Sequence, residues 1–262
     1  MLAEKDIWPM AKYAALKFSP WFGLEPKPVD VALQKPPKTT YLAVFDHRKN
    51  LVFIDPKSYR KSGNEHFIHT IGEEVGHGLH FRRNPKIFDR SNPPIEETIA
   101  SIKNGTYKRQ CYDYIVSSNL VEFVGHLLGL ELVADKINPS IARKYARVIE
   151  DYYRGSTFEK MRPFIVKMTE VGNDERALEM YEHDPENMKE NADNEMGSEK
   201  AKEVKDGISC INHCIGYFRS AELFVGFDAD VRRRAFNMAL ECESAEEFDP
   251  KLEKLMADNH RG

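Results

Sequence analysis

The sequence predicts an α+β fold, with a small β-sheet and a central helix in the first half and an all-α second half. Three observations lead there. Two strand-like runs, Tyr41–Phe45 and Leu51–Ile54, flank the polar stretch Asp46–Asn50, a hairpin pattern. A run over 65–81 then places His66, His69, Glu73, His77 and His80 on one helical stripe about 80° wide at 100° per residue. From Asn138 onward the chain shows only helical patterns. The expected division is residues 1–135, carrying the sheet and the central helix, and a helical lobe over 136–262 that closes over the site.

Each element has a local reason. Ile7 to Phe18 carry apolar side chains at helical spacing, and Ser19-Pro20 stops the run. The Pro-rich segment Glu25–Lys38 reads as an extended connector with a short strand at Val29–Leu33, and Asp55-Pro56 ends the strand that follows the hairpin loop. Gly72, Gly76 and Gly78 weaken the 65–81 helix by roughly 1 kcal/mol each, so something is expected to pack close to its backbone. Asn84–Pro94 reads as a loop, and helices are expected at Ile95–Lys103 and Cys111–Val133. Asn138-Pro139-Ser140 is a helix start, followed by helices at Ile141–Tyr153 and Phe158–Glu170. The stretch from Glu170 to Asp206 holds thirteen acidic and five basic residues and reads as a solvated helix-loop-helix face. Gly207–Phe227, Asp228–Leu240 and Pro250–Met256 complete the helical pattern.

Composition narrows the function classes. The 262 residues carry 38 Lys+Arg against 42 Asp+Glu, a net charge of -4, so no global basic excess points to nucleic acid. No apolar run approaches the roughly 20 residues of a membrane helix. The first residues, Met1 to Asp6, lack the pattern of a signal peptide. Cys111, Cys210, Cys214 and Cys242 are too sparse for a disulfide framework. A cytoplasmic protein without nucleic-acid or membrane partners is expected.

Two short stretches carry the chemistry. Glu73-Glu74-Val75-Gly76-His77-Gly78-Leu79 and Glu122-Phe123-Val124-Gly125-His126-Leu127-Leu128 nearly repeat each other. Each sets a Glu and a His four residues apart in an apolar helical run, where i and i+4 share a face. Two such helices packed together supply two Glu and two His around one metal ion, or around a pair of ions. Unpaired carboxylates in such apolar runs are costly to bury, which favours a bound ion.

The order helix, strand hairpin, then Phe67-Ile68-His69-Thr70-Ile71-Gly72-Glu73-Glu74-Val75-Gly76-His77-Gly78-Leu79-His80 resembles a small zincin-type metallopeptidase, and is most similar to the minimal gluzincins. The resemblance covers roughly residues 1 to 135. It implies a metal-dependent hydrolase acting on a peptide or protein substrate, with His77 as a ligand, Glu122 as the third ligand from a later helix, and Glu74 as general base. Zinc is the ion it implies. The chain departs from the H-E-x-x-H pattern at Glu73, where the family has a His. A Glu, His, Glu set is harder and more anionic, and it suits Mn or Fe better than the usual set does. Two residues are placed to compensate: His126 as a fourth ligand, or His69, one turn earlier, in place of the missing His. Tyr217 and His213, on a later helix, are candidates for stabilising the oxyanion.

Other readings stand beside this one. A zincin fold that binds a metal or a partner without catalysis keeps the same ligands. Glu74-x-x-His77 also has the E-x-x-H spacing of carboxylate-bridged di-iron helix bundles, but the second pair is E-x-x-x-H and strands precede the first. Cys210 and Cys214 read as buried structural cysteines, and Tyr112, Tyr114, Tyr152 and Tyr153 as core.

Overall fold

The computed structural model describes residues 4–36, 43–57, 63–91, 107–154 and 216–259. The expected helices at Ile95–Lys103 and Phe158–Glu170, the acidic stretch, Cys210, His213 and Cys214 lie outside them. So do the side chains of Tyr112, Tyr114, Tyr152 and Tyr153.

The fold is α+β with helical bulk. Helix α1 (Glu4–Phe18) buries Ile7, Ala11, Ala14, Ala15 and Phe18, a stripe set by its helical spacing. A 3₁₀ turn, Ser19–Phe22, follows and ends at Gly23. Gly23 has φ 65°, a left-handed conformation that favours glycine, and its N–H donates to the Pro20 carbonyl.

Three strands follow: β1 (Asp30–Ala32), β2 (Ala43–Asp46) and β3 (Leu51–Ile54). The sheet order is β1-β3-β2, with β1 parallel and β2 antiparallel to β3. The hairpin pairs Phe45 with Val52 and Asp46 with Leu51, and Asn50 takes the turn's positive φ of 49°. Among the described residues β2 is therefore an edge strand.

Helix α2 (Asn64–Arg83) is the centre of the molecule. Every residue from Phe67 to His80 is buried, so this helix has no solvent face along that run. Its glycines let neighbouring groups approach closely. A Cβ at Gly72 would lie 2.8 Å from Gly129 Cα, and one at Gly78 would lie 2.8 Å from Val29 Cγ1. The partner along α2 is α4 (Tyr107–Lys136), whose Leu120, Val124, Leu127 and Leu128 are buried.

Between them the segment read as a loop over Asn84–Pro94 is a helix from 85 to 91, α3 (Pro85–Ser91). Pro85 suits a first helical position. Ile87 and Phe88 are buried, and the Phe88 ring meets Phe81 and Phe45 edge-on at 5.5 and 6.0 Å. Those tertiary contacts reward the helix, and they are invisible in the local pattern.

The remaining helices pack around this pair. In α5 (Pro139–Arg154) the Asn138 side chain accepts the Ile141 N–H at 2.8 Å, an N-cap. Helix α6 spans 216–226. Asp228 caps α7 (Ala229–Glu241) by accepting the N–H groups of Asp230 and Val231. The last helix, α8 (Ala245–Asn259), starts five residues before the expected Pro250. Ser244 explains this start: its hydroxyl accepts the Glu247 N–H, and Glu247 Oε2 in turn accepts the Glu243 N–H. Phe248 and Leu252, one turn apart, then bury the helix against the core.

One hydrophobic cluster runs through both halves of the chain. Phe236 of α7 meets Phe22 and Trp21 at 5.0 and 5.3 Å, and Phe248 of α8 meets Phe123 at 4.8 Å. The buried Arg232 donates to Glu131 at 2.6 Å and to the Phe227 carbonyl, so its charge is paired. No helix among the described residues is long and apolar enough to cross a membrane.

Candidate metal centre

Where α2 lies against α4, four side chains of the two Glu/His stretches meet a fifth, His69. Glu73 and His77 come from adjacent turns of one face of α2, with His69 one turn earlier. Glu122 and His126 come from the facing turns of α4. Their donor atoms gather into two sets of mutually close atoms: His69, Glu73 and His126, and Glu73, His77 and Glu122.

The spacing of these atoms is informative. His77 Nε2 lies 3.6 Å from Glu122 Oε2 and 4.0 Å from Glu73 Oε1. His126 Nδ1 lies 3.4 Å from Glu73 Oε1, and its Nε2 lies 3.4 Å from Glu122 Oε2. His69 Nδ1 is 3.7 Å from Glu73 Oε2. Most of these separations are too long for good hydrogen bonds. They are the separations expected of atoms that share an ion, since bonds of about 2.0–2.2 Å place neighbouring tetrahedral ligands roughly 3.4 Å apart. Nδ1 of His69, which faces Glu73, is buried and has no hydrogen-bond partner among the described residues, a state that costs free energy unless something else binds there. The residues fit a divalent cation, and these buried His and Glu side chains could hold one.

Charge in the metal-free site is uneven. Burial alone would raise the Glu73 carboxyl, but His126 and His69 outweigh it and hold it down to about 2. Burial drives the His69 imidazole down to about 3, so it is neutral at pH 7, the form a metal ligand needs. His77 goes the other way, up to about 9: burial opposes its charge, but the carboxylates of Glu122, Glu74 and Glu73 prevail. Glu74 is pushed up to about 8, first by burial and then by Glu73 and Glu122, with His77 and the Phe45 N–H opposing.

Glu74 does not join either set of donors. About 100° round the helix from Glu73, its Oε2 accepts the Phe45 N–H of β2 at 2.6 Å. The carboxyl therefore sits between the sheet edge and the cluster. Tyr217 of α6 reaches the same centre, its hydroxyl donating to Glu73 Oε2 at 3.2 Å. The two ends of the predicted stripe do not reach it. His66 pairs through Nδ1 with the Tyr145 hydroxyl at 2.9 Å. His80 faces the Phe22 and Phe88 rings, with its pKa driven down to about 3 by burial and by His77.

Three glycines that shape the site were not singled out from the sequence. A Cβ at Gly125 would lie 2.5 Å from His77 Cε1, one at Gly129 2.7 Å from His69 Cδ2, and one at Gly216 2.5 Å from Glu122 Cβ. Each leaves the room that a ligand side chain occupies. The signal for the first two was available: Gly125 and Gly129 are four apart on α4, as Gly72 and Gly76 are on α2.

No family model, curated protein or solved structure matches the chain.

Proposed function

We propose that this chain is a metal-dependent hydrolase of the zincin type that cleaves peptide bonds. Glu73, His77 and Glu122 hold the ion and Glu74 is the general base. The observation that carries this reading is the placement of Glu74: a buried carboxyl beside the donor set but outside it, fixed by the β2 backbone and raised by burial. A base works best with a pKa near the operating pH, and burial beside other carboxylates is how a Glu reaches that range.

A bound divalent ion supplies Lewis acidity, polarising a carbonyl and acidifying water. The chain's own residues do the rest. Glu74 takes a proton from the attacking water on one carboxylate oxygen while its Oε2 stays anchored on Phe45 N–H. The same carboxyl then passes the proton to the leaving amine. The Tyr217 hydroxyl, which donates to Glu73 Oε2 at 3.2 Å, is the candidate donor to the developing oxyanion. The edge position of β2 among the described residues supports a peptide substrate, because an extended chain can pair with a strand edge beside the Phe45 N–H that Glu74 takes.

Zinc is the ion this reading expects, and the two carboxylates in the donor set suit Mn or Fe better than the usual His, His, Glu set does. Glu73 is also what favours the second reading, a zincin-like protein that binds a metal or partner without turnover. An extra carboxylate weakens the ion's Lewis acidity. The deciding experiment is cleavage of a mixed pool of unstructured peptides by wild type and Glu74→Gln, each loaded with Zn, Mn or Fe. The hydrolase reading expects metal content to survive in the variant and turnover to fall by roughly 10²–10⁴-fold. Wild type that cleaves no faster than Glu74→Gln with every metal refutes it in favour of the binding reading.

A further inference from the structure

We infer that the cluster is built for two ions that share Glu73: an outer ion held by Glu73, His77 and Glu122, and an inner ion held by His69, Glu73 and His126. The inference deepens the proposed hydrolase and rests on its metal, but not on its turnover.

The first support is reach. Two donors bonded to one ion at about 2.0–2.2 Å can stand no more than roughly 4.4 Å apart. The five side chains do not collapse into one such group; they form two, with Glu73 the common member. One ion therefore leaves two of the five residues unused, and two ions use all of them.

The second support is the presentation of Glu73. Its Oε2 faces His69 Nδ1 at 3.7 Å, and its Oε1 faces both His126 Nδ1 at 3.4 Å and His77 Nε2 at 4.0 Å. This one carboxylate therefore reaches donors of both sets, as a carboxylate shared by a pair of ions must. Every ion-pair contact of Glu73 among the described residues is to a histidine: His69, His77 and His126.

The third support is the inner pair itself. His69 and His126 are both 0 % exposed, and their rings stack at 5.5 Å with only 10° between the planes. The outer set needs neither of them. A core imidazole that serves packing alone normally finds hydrogen-bond partners, yet His69 Nδ1 has none among the described residues. The fold also makes room for it, since Gly129 stands where a Cβ would lie 2.7 Å from its ring. A donor aimed at Glu73, fully buried and given space by a glycine, is a ligand position.

The two positions differ in access. The inner set is sealed, whereas Glu122 of the outer set is partly exposed. The outer ion is thus the one a substrate can meet, and the inner ion holds Glu73 in place behind it.

The test counts ions on full-length protein stripped with a chelator and reloaded with Zn²⁺, read by elemental analysis and calorimetry. Two Zn²⁺ per chain are expected for wild type, falling to one in His69→Gln and to one in His77→Gln. Mn²⁺-loaded wild type needs no substitution. A spin-coupled pair in its electron paramagnetic resonance spectrum is expected, and the six-line signal of an isolated Mn²⁺ overturns the inference. So does one Zn²⁺ per chain that His77→Gln abolishes and His69→Gln leaves in place, and that result leaves the hydrolase proposal standing. Two coupled ions without peptide cleavage do the reverse. No ion bound in wild type overturns both.

Discussion

Gly125→Ala tests the donor set without touching a donor. The added Cβ would lie 2.5 Å from His77 Cε1 and 2.9 Å from each ring nitrogen. Ordinary contact begins near 3.4 Å, so the ring must retreat by roughly 0.9 Å. A metal site tolerates about ±0.2 Å in its bonds, so His77 Nε2 leaves the position it shares with Glu73 and Glu122. Metal affinity is expected to fall by about 10–100-fold, the usual effect of disturbing what orients a ligand. The fold should survive, because an imidazole at the end of a side chain can yield at a cost of about 1–3 kcal/mol. Gly72→Ala is the control. Its Cβ would meet Gly129 Cα at 2.8 Å and the Leu128 carbonyl oxygen at 3.1 Å. Backbone cannot rotate aside, so α2 and α4 must part, and the stability loss should exceed that of Gly125→Ala. Calorimetry with Zn²⁺ gives the affinities and thermal melts give the stabilities. Wild-type zinc affinity in folded Gly125→Ala refutes the assignment of His77, because a displaced ring cannot also hold the ion.

Further outcomes follow from the same geometry. In the metal-free protein His77 stays protonated up to about pH 9. Ion binding at pH 7 must therefore expel a proton, and zinc affinity should tighten about tenfold per pH unit towards pH 9; calorimetry in buffers of different ionisation enthalpy checks it, and a pH-independent affinity counts against it. Glu74 and His77 both have raised folded-state values, about 8 and 9. Their contribution to metal-free stability is therefore complete below the unfolded values of 4.5 and 6.5 and is lost as pH rises through 8 and 9. Glu74→Gln should remove the Glu74 part of that decline in denaturant melts taken across the pH range. Phe236→Ala should cost about 3–5 kcal/mol by chemical denaturation, because its ring joins α7 to Phe22 and Trp21 at the other end of the chain.

Local signals were enough where an element is decided locally. The stripe Ile7 to Phe18, the hairpin around Asn50 and the Asn138 cap each follow from residues within a few positions of one another. Two elements were misread for opposite reasons. For α3 the deciding contacts are distant, the Phe88 ring against Phe45 and Phe81. For α8 the signal is local: Ser244 and Glu247 form a start motif, and Pro250, the expected first residue, lies inside the helix.

The site shows where a one-dimensional pattern stops carrying information. Periodicity placed five side chains on one face of α2, but a face is a direction and a metal centre is a point. Which of the five reach that point depends on the line along which α4 crosses α2, and the glycines set that line. Gly72 opposite Gly129, and Gly76 opposite Gly125, bring the two backbones close in the middle of the stripe. There Glu73, His77 and His69 meet Glu122 and His126. At the ends other elements intervene: Tyr145 of α5 takes His66, and the Phe22 and Phe88 rings enclose His80. The glycines that looked like a cost to the helix are thus what selects the ligands. The sequence shows that something packs closely there, and the register of the crossing, which only the folded pair of helices defines, shows which imidazoles it gathers.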